Sequence, residues 1–105
     1  MADAAVIAAL VELRAAGTPG ALATVVRTRG HAPREVGTKM LILRDGRCIG
    51  TIGGGCGEAE VKRAALNVID SGQPLLYEVD LLDDPALPDG AVCGGKMAIF
   101  IECFA

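Results

Sequence analysis

Residues 39–70, KMLILRDGRCIGTIGGGCGEAEVKRAALNVID, decide the fold of this chain. Two apolar runs, at 39–43 and 48–52, are separated by a short Arg-Asp-Gly-Arg segment, and Asp-Gly between apolar runs predicts a β-hairpin. The second run leads into a cluster of glycines at 53–57. Residues 58–70 then carry apolar side chains at helical spacing, which indicates an amphipathic helix. The stretch therefore predicts a hairpin, a glycine loop and a helix in direct succession.

The chain on either side of this stretch adds one helix and three strands. An apolar pattern that begins after a potential capping residue predicts a helix at 3–16. β-branched and continuously apolar runs predict strands at 21–27, 75–79 and 97–103. The predicted fold is therefore α/β or α+β, a single domain in which one mixed sheet of about five strands is combined with two main helices.

Length and composition restrict the class of protein. The 105 residues suffice for one hydrophobic core, so we expect one domain over residues 1–105. The net charge of −3 and the lack of a Lys/Arg run argue against a nucleic-acid-binding protein. No signal peptide and no apolar stretch of about 18 residues is visible, so we expect a cytoplasmic protein without a membrane span.

The glycine loop has the properties of an anion site. A helix start leaves backbone N–H groups unpaired, and Gly53, Gly54 and Gly55 let a ligand approach the backbone closely. Neither a Gly-x-Gly-x-x-Gly pattern nor a Gly-Lys-Ser/Thr motif is present, which argues against a conventional dinucleotide or ATP loop. Glu58, in the first helical turn, is placed to complement the helix dipole or to cap a backbone N–H.

Two cysteines lie in glycine loops. Cys56 directly precedes the helix, where the thiolate is favoured, so it is a candidate metal ligand, nucleophile or sulfur acceptor. The alternative is a small buried apolar side chain. Cys93 is followed by Gly94 and Gly95, and it would share a cleft with Cys56 if parallel strands bring both loops to one end of the sheet.

We do not assign the remaining cysteines or the single histidine to the functional site. Cys48 and Cys103 fall in predicted strands, and we expect both to pack in the core as free thiols. No Cys-x-x-Cys pair is present and His31 is the only histidine, which argues against a structural zinc site, so we assign no metal ligands. A lone loop histidine is more often solvated than catalytic.

A basic group surrounds the first polar loop. It consists of Arg27, Arg29, Arg34 and Lys39. The group is either a local anion site or an ordinary solvated loop, and the spacing leaves both interpretations open. Arg34 follows Pro33, which restrains the turn, and a guanidinium fork matches the geometry of a phosphate.

Five motifs follow one another along the chain. They are Ala23-Thr-Val-Val-Arg-Thr-Arg-Gly30, Ala32-Pro-Arg-Glu-Val-Gly37, Gly50-Thr-Ile-Gly-Gly-Gly-Cys56, Glu58-Ala-Glu-Val61 and Cys93-Gly-Gly95. In this order and spacing they resemble the XdhC/CoxI family, from about residue 10 to the end of the chain. Members of that family are accessory proteins of molybdenum hydroxylases such as xanthine dehydrogenase and carbon monoxide dehydrogenase. At His31 the family usually has a small hydroxyl residue instead.

The resemblance implies that the chain binds the molybdenum cofactor, protects it during sulfuration and helps to insert it into a molybdenum hydroxylase apoenzyme. The cofactor-binding residues that it implies are Gly53, Gly54, Gly55, Cys56, Glu58, Arg34, Cys93, Gly94 and Gly95. Many members continue into a second, Rossmann-type domain. We therefore expect a short, single-domain member, whose site is completed by a separate Rossmann-domain chain or by a homodimer.

Two further functions stay open at this point. In the first, the protein is an enzyme for thiol-dependent redox or sulfur-transfer chemistry that uses Cys56 and Cys93, and its thiol pKa values would then lie below the usual value of about 8.5. In the second, the glycine loops only shape an interaction module that docks on a larger oxidoreductase. The resemblance favours a binding protein without turnover of its own.

Overall fold

The computed structural model describes residues 2–30, 35–52, 57–80 and 95–104. Within these residues, two helices and five strands are formed. In chain order they are α1 (Ala2–Ala15), β1 (Gly20–Arg29), β2 (Lys39–Leu43), β3 (Cys48–Gly50), α2 (Glu58–Ser71), β4 (Leu75–Asp80) and β5 (Lys96–Phe104). The predicted number of helices and strands is thus confirmed, and each predicted element lies within a few residues of its observed position.

The five strands form one sheet in the order β3-β2-β1-β5-β4, and all four neighbouring pairs are antiparallel. The fold is therefore α+β, and the expectation of a mixed sheet is wrong. The reason lies in the connection through α2, which carries the chain from β3 at one edge of the sheet to β4 at the other edge. These two strands run in the same direction but are not neighbours, so no parallel pair forms.

Helix α2 covers one face of the sheet. Its buried side chains recur at helical spacing and are Val61, Ala64, Ala65, Val68 and Ile69. They form one core cluster with buried strand residues that include Met40, Ile42, Met97, Ile99 and Ile101. The helix ends at Gly72, which has a φ of 75° and donates its backbone N–H to the Val68 carbonyl at 2.8 Å. The core is aliphatic, as the composition predicts.

Helix α1 lies against β2 and β3, and its Val6 side chain is completely buried. Leu41 and Leu43 alternate along β2 with the residues that face α2, and they are buried as well. Helix α1 therefore covers the opposite face of the sheet at β2. Within the described residues, neither helix is long and apolar enough to cross a membrane.

The strand cysteines do not pack in the core. Cys48 and Cys103 are free thiols, as expected, but both residues are exposed, so the expected core packing is wrong. Cys48 lies on the three-residue edge strand β3, where partial desolvation, with a further contribution from Glu58, raises the pKa of its thiol. Cys103 lies near the end of β5, beyond Ile101, the last residue of β5 that β4 pairs with.

Tyr77 provides a spectroscopic test of the packing of β4. It is the only tyrosine, there is no tryptophan, and its hydroxyl donates to Glu60 Oε2 of α2 at 3.1 Å. Desolvation and then the hydrogen bond to Glu60 raise the pKa of the phenol above its usual value of 10.0. We expect the ultraviolet titration of the phenolate to show this raised pKa, and Glu60→Gln to lower it.

The raised pKa of Tyr77 determines how the stability of the protein depends on pH. Because folding favours the neutral phenol, Tyr77 stabilises the protein below the unfolded pKa, and that stability is lost as the pH rises through the folded pKa. Glu12→Gln, on α1, serves as the control and should leave the titration unchanged. A folded-state pKa at or below that of a tyrosine peptide would contradict the packing of β4 against α2.

Candidate functional site

Three strands run toward the same end of the sheet. Because neighbouring strands alternate in direction, β1, β3 and β4 run toward the end at which β2 and β5 begin, and we call this the loop end. β1 and β4 end level with Lys96, whereas Gly50 of β3 is level with Ile101, five residues earlier along the sheet. The connections at 30–38, 51–57 and 81–95 all join the sheet here. These connections contain the glycine loop, the first polar loop and Cys93. The antiparallel sheet thus points the end of β3 and the beginning of β5 in one direction without the parallel strands that we expected, and a cleft shared by Cys56 and Cys93 stays a prediction.

The structure describes two of the nine predicted site residues. Glu58 is the first residue of α2 and is half-buried, and Gly95 is buried immediately before β5. The other predicted site residues, which are Arg34, Gly53, Gly54, Gly55, Cys56, Cys93 and Gly94, lie outside the described residues, as does His31. The end of β3 and the beginning of β5, which flank these loops, are separated by three strand spacings of about 4.8 Å and by five residues of about 3.4 Å, which gives about 20 Å.

The start of α2 is held against the end of β3. Ile52, just after β3, is completely buried in the core, and Gly57 begins the helix with a φ of 77° and is buried. The Thr51 hydroxyl donates a hydrogen bond to Glu58 Oε2. Glu58 and Glu60 are placed in the first turn, where their charge complements the helix dipole. The role of Thr51 has no signal in the sequence.

A β-bulge in β1 changes which face its last residues occupy. Val25 pairs with Ile99 on the α2 face, whereas Arg27 pairs with Ala98, so Val26 has no partner of its own on β5. In an uninterrupted strand Arg27 would return to the face of Val25. The extra residue instead turns Arg27 and Arg29 to the face opposite α2. We call the part of that face formed by β1, β5 and β4 the open face.

Charged residues form two rows across the open face. Arg27 and Glu78 lie on either side of Ala98 and are joined by an ion pair of 3.2 Å. One row further toward the loop end, Lys96 lies between Arg29 and Asp80. Lys96 Nζ is 3.6 Å from Asp80 Oδ2. Within the described part of the chain, Arg29 has no ion-pair partner.

These rows border an open cavity of about 420 Å³. The small side chain of Ala98, which is 5% exposed, forms its floor, and the long side chains of Arg27, Arg29, Lys96 and Glu78 surround it. The volume lies in the usual range for small-molecule sites. The two arginines are predictable from the sequence, whereas Lys96 and Glu78 are not; the one sequence signal is that Lys96 directly follows the Cys93 loop.

The predicted basic group is therefore divided. Arg27 and Arg29 come together on the open face, and Arg34 lies outside the described residues. Lys39 does not join them, because its Nζ donates to the Gly37 carbonyl at 2.8 Å. Among the described residues, no group of three His, Cys, Asp or Glu side chains is placed to hold a metal ion.

The family assignment follows from a comparison with known families. The XdhC and CoxI family matches residues 13–80, which is more than half of the chain and includes β1–β3, the glycine loop and α2. The chain belongs to this family. The expectation that residues 1–105 form the N-terminal domain of the XdhC/CoxI type stays a prediction.

Three curated relatives are similar in sequence. The chain is 37% identical to YqeB of Escherichia coli over 84 residues, which are 80% of this chain and 15% of that protein. It is 40% identical to the molybdenum cofactor insertion chaperone PaoD of Escherichia coli over 63 residues, 60% of this chain and 20% of PaoD. It is 35% identical to a probable xanthine dehydrogenase subunit of Bacillus subtilis over 83 residues, 77% of this chain and 25% of that protein.

A solved structure has the same fold. A xanthine dehydrogenase from Bacillus halodurans superposes with a TM-score of 0.79 at 29% identity, over 92% of this chain and 30% of that chain. The chain thus spans less than a third of each of these four proteins. The similarity confirms the XdhC/CoxI fold and connects it with proteins named for molybdenum cofactor insertion and xanthine dehydrogenase.

Proposed function

We propose that this chain binds the molybdenum cofactor at the loop end and assists its maturation and insertion into a molybdenum hydroxylase of the xanthine dehydrogenase type. The observation that carries the proposal is the shared direction of β1, β3 and β4, each of which leads into a connection that holds a family motif. The names of PaoD and of the Bacillus subtilis relative support the same cargo and the same class of client. We place this role in the cytoplasm, where free thiols persist.

The described residues at the loop end suit an anionic ligand. Helix α2 begins at Gly57 without a side-chain cap hydrogen bond, so its first backbone N–H groups lack that partner. The left-handed, buried glycine leaves no Cβ between the helix start and a ligand. The cofactor carries a phosphate on its pterin side chain, and a helix start favours phosphate. These properties fit the group that the family implies.

Each part of the proposed site has a distinct task. Gly53, Gly54 and Gly55 would let backbone N–H groups approach the cofactor, and Arg34 would pair with its phosphate. Cys56 and Cys93 would supply soft thiolate ligands for the molybdenum. Thr51 and Glu58 hold the start of α2 against the end of β3. Once inserted, the cofactor supplies the redox chemistry of the client, so this chain has only to hold and shield it.

Binding of the cofactor by a Cys56→Ala variant tests the proposal. We expect the purified protein to retain molybdenum cofactor released from a donor molybdoenzyme, and Cys56→Ala to bind it at least roughly tenfold more weakly, because a ligand thiolate is lost. The measurement is the amount of cofactor retained after gel filtration, as a function of the cofactor concentration.

Cys48→Ala is the matched control for this experiment. It removes an exposed thiol on β3, outside the proposed site, and should leave retention of the cofactor unchanged. Undiminished binding by Cys56→Ala would remove Cys56 from the site. Failure of the unmodified protein to retain any cofactor would overturn the proposed function and favour the docking or thiol-enzyme alternatives.

A further inference from the structure

We infer that the cavity on the open face binds the phosphate group of a small phosphorylated molecule, with the phosphate held between Arg29 and Lys96. The cavity lies on the opposite side of the sheet from the start of α2. The inference therefore concerns a second anion site, and it does not depend on whether the molybdenum cofactor binds at the glycine loop.

The register of the sheet places two like charges side by side. Arg29 on β1 and Lys96 on β5 are directly opposite residues. Directly opposite side chains on one face have Cβ atoms about 5 Å apart, and like charges in this position repel each other. Asp80 pairs with Lys96 from the far side, whereas Arg29 has no ion-pair partner among the described residues. A dianionic group between the two cations would remove this repulsion.

The bulge in β1 creates this arrangement. If Val26 paired regularly with β5 instead of forming the bulge, both arginines would alternate onto the face that α2 covers. Bulges are frequent beside binding sites, because they turn a side chain toward a ligand. Here the bulge brings Arg27 and Arg29 to the side of the sheet where Ala98 leaves room above the strands.

The charges around the cavity indicate the chemical class of the ligand. Three cations and one carboxylate line it, so it is positive in a protein whose net charge is −3. Arg27 and Glu78 form an exposed ion pair, with side chains 69% and 71% exposed, and such pairs are weak enough for a ligand to compete. Glu78 accepts hydrogen bonds only, so it suits a hydroxyl or amine on the same ligand. A phosphate monoester with a polar body meets both requirements.

The volume sets the size of that ligand. A cavity of about 420 Å³ accommodates a phosphorylated sugar or a mononucleotide. A polyanion such as nucleic acid is not favoured, because the acidic residues Glu78 and Asp80 border the same surface.

Binding of inorganic phosphate, of pyrophosphate and of ribose 5-phosphate to the purified chain tests this inference. We expect saturable binding of all three by titration calorimetry, with ribose 5-phosphate bound more tightly than inorganic phosphate because only it reaches Glu78. The amide NMR signals of β1 and β5 near Arg29 and Lys96 should shift on titration, whereas those of the β2–β3 turn should not.

Variants separate a specific site from general electrostatics. Arg29→Gln and Lys96→Gln should each weaken binding of ribose 5-phosphate at least roughly tenfold, and Arg29→Lys should recover part of it. Arg44→Gln is the charge-matched control, because Arg44 does not line the cavity and forms an ion pair of 3.3 Å with Asp70. This variant should bind ribose 5-phosphate like the unmodified chain. Thermal unfolding of Arg29→Gln should be unchanged or improved, because a repulsive pair is removed, so a folding defect can be recognised.

Two outcomes would overturn the inference. The first is that none of the three probes shows saturable binding at concentrations up to about 10 mM. The other is equal weakening in Arg44→Gln and Arg29→Gln, which would mean that only the overall charge matters. Neither outcome bears on retention of the molybdenum cofactor, so the two proposals fail separately.

Discussion

Replacing Gly50 with alanine is expected to destabilise the protein by about 3–5 kcal/mol. Gly50 ends β3 with a φ of 85°, a conformation that L side chains rarely adopt. A Cβ at this position would also lie 2.7 Å from Val6 Cγ2 and 2.8 Å from the Lys39 carbonyl oxygen. The backbone strain and the two contacts act together, because the carbonyl belongs to the paired strand β2 and cannot rotate away. Urea unfolding followed by far-ultraviolet circular dichroism measures the change.

Gly46→Ala separates the two contributions. Gly46 has a φ of 92°, but a Cβ there would meet no atom within 4 Å. This variant should therefore cost only the backbone strain of about 1–2 kcal/mol. Equal destabilisation by the two variants would show that α1 does not pack on Gly50.

Ile99→Ala is expected to destabilise the protein by about 3–4 kcal/mol, which is a large part of the stability of a small domain. Ile99 is completely buried in β5, where it pairs with Val25 of β1 and Tyr77 of β4. It belongs to the core cluster beneath α2, so truncation leaves a cavity that neither strand can fill. The free energy of unfolding, again from urea titration, measures the loss.

Ile99→Val provides the graded comparison. It removes one methylene group and should cost about 1 kcal/mol. Glu102→Ala, at an exposed position of the same strand, should change the stability by no more than about 0.5 kcal/mol. If Ile99→Ala cost as little as Glu102→Ala, β5 would not be an inner strand between β1 and β4, and the strand order would be wrong.

Local chemistry made most of the elements predictable. The Asp-Gly turn and the apolar run before it define β2 to the residue, and the helical spacing after the glycine loop defines α2 to within one residue. Both signals act within a few residues of the chain. The predicted strand at 48–52 ends earlier, at Gly50, because a φ of 85° takes the backbone out of the extended conformation.

The order and direction of the strands were not predictable in the same way. Pairing of β1 with β5 joins residues that are far apart along the chain, such as Val25 and Ile99, and no short pattern encodes such a contact. The exposure of Cys48 and Cys103 has the same origin, because it depends on which strand forms an edge and where β4 begins. The bulge at Val26 also has no signal, since Val25-Val26-Arg27 reads as ordinary strand.

The candidate functional residues also differ in how far the sequence predicts them. Family motifs identify the residues of the glycine loops, whereas the cavity on the open face arises from register alone. Lys96 and Glu78 are distant in sequence and meet Arg27 and Arg29 only because β5 lies between β1 and β4. Residue patterns can therefore indicate a loop site, but not a site built across three strands.

Because of the bulge, β1 contains one residue more than the stretch of β5 with which it pairs. Val26 is 43% exposed and has no partner of its own on β5. A chain that lost this residue would keep Val25 opposite Ile99 and Arg27 opposite Ala98, with a regular strand in place of the bulge. Loss of a residue elsewhere in β1, such as Thr24, would instead reverse the facing of all residues on one side of the gap. A one-residue deletion within β1 is thus tolerated only at the bulge, Val25-Val26.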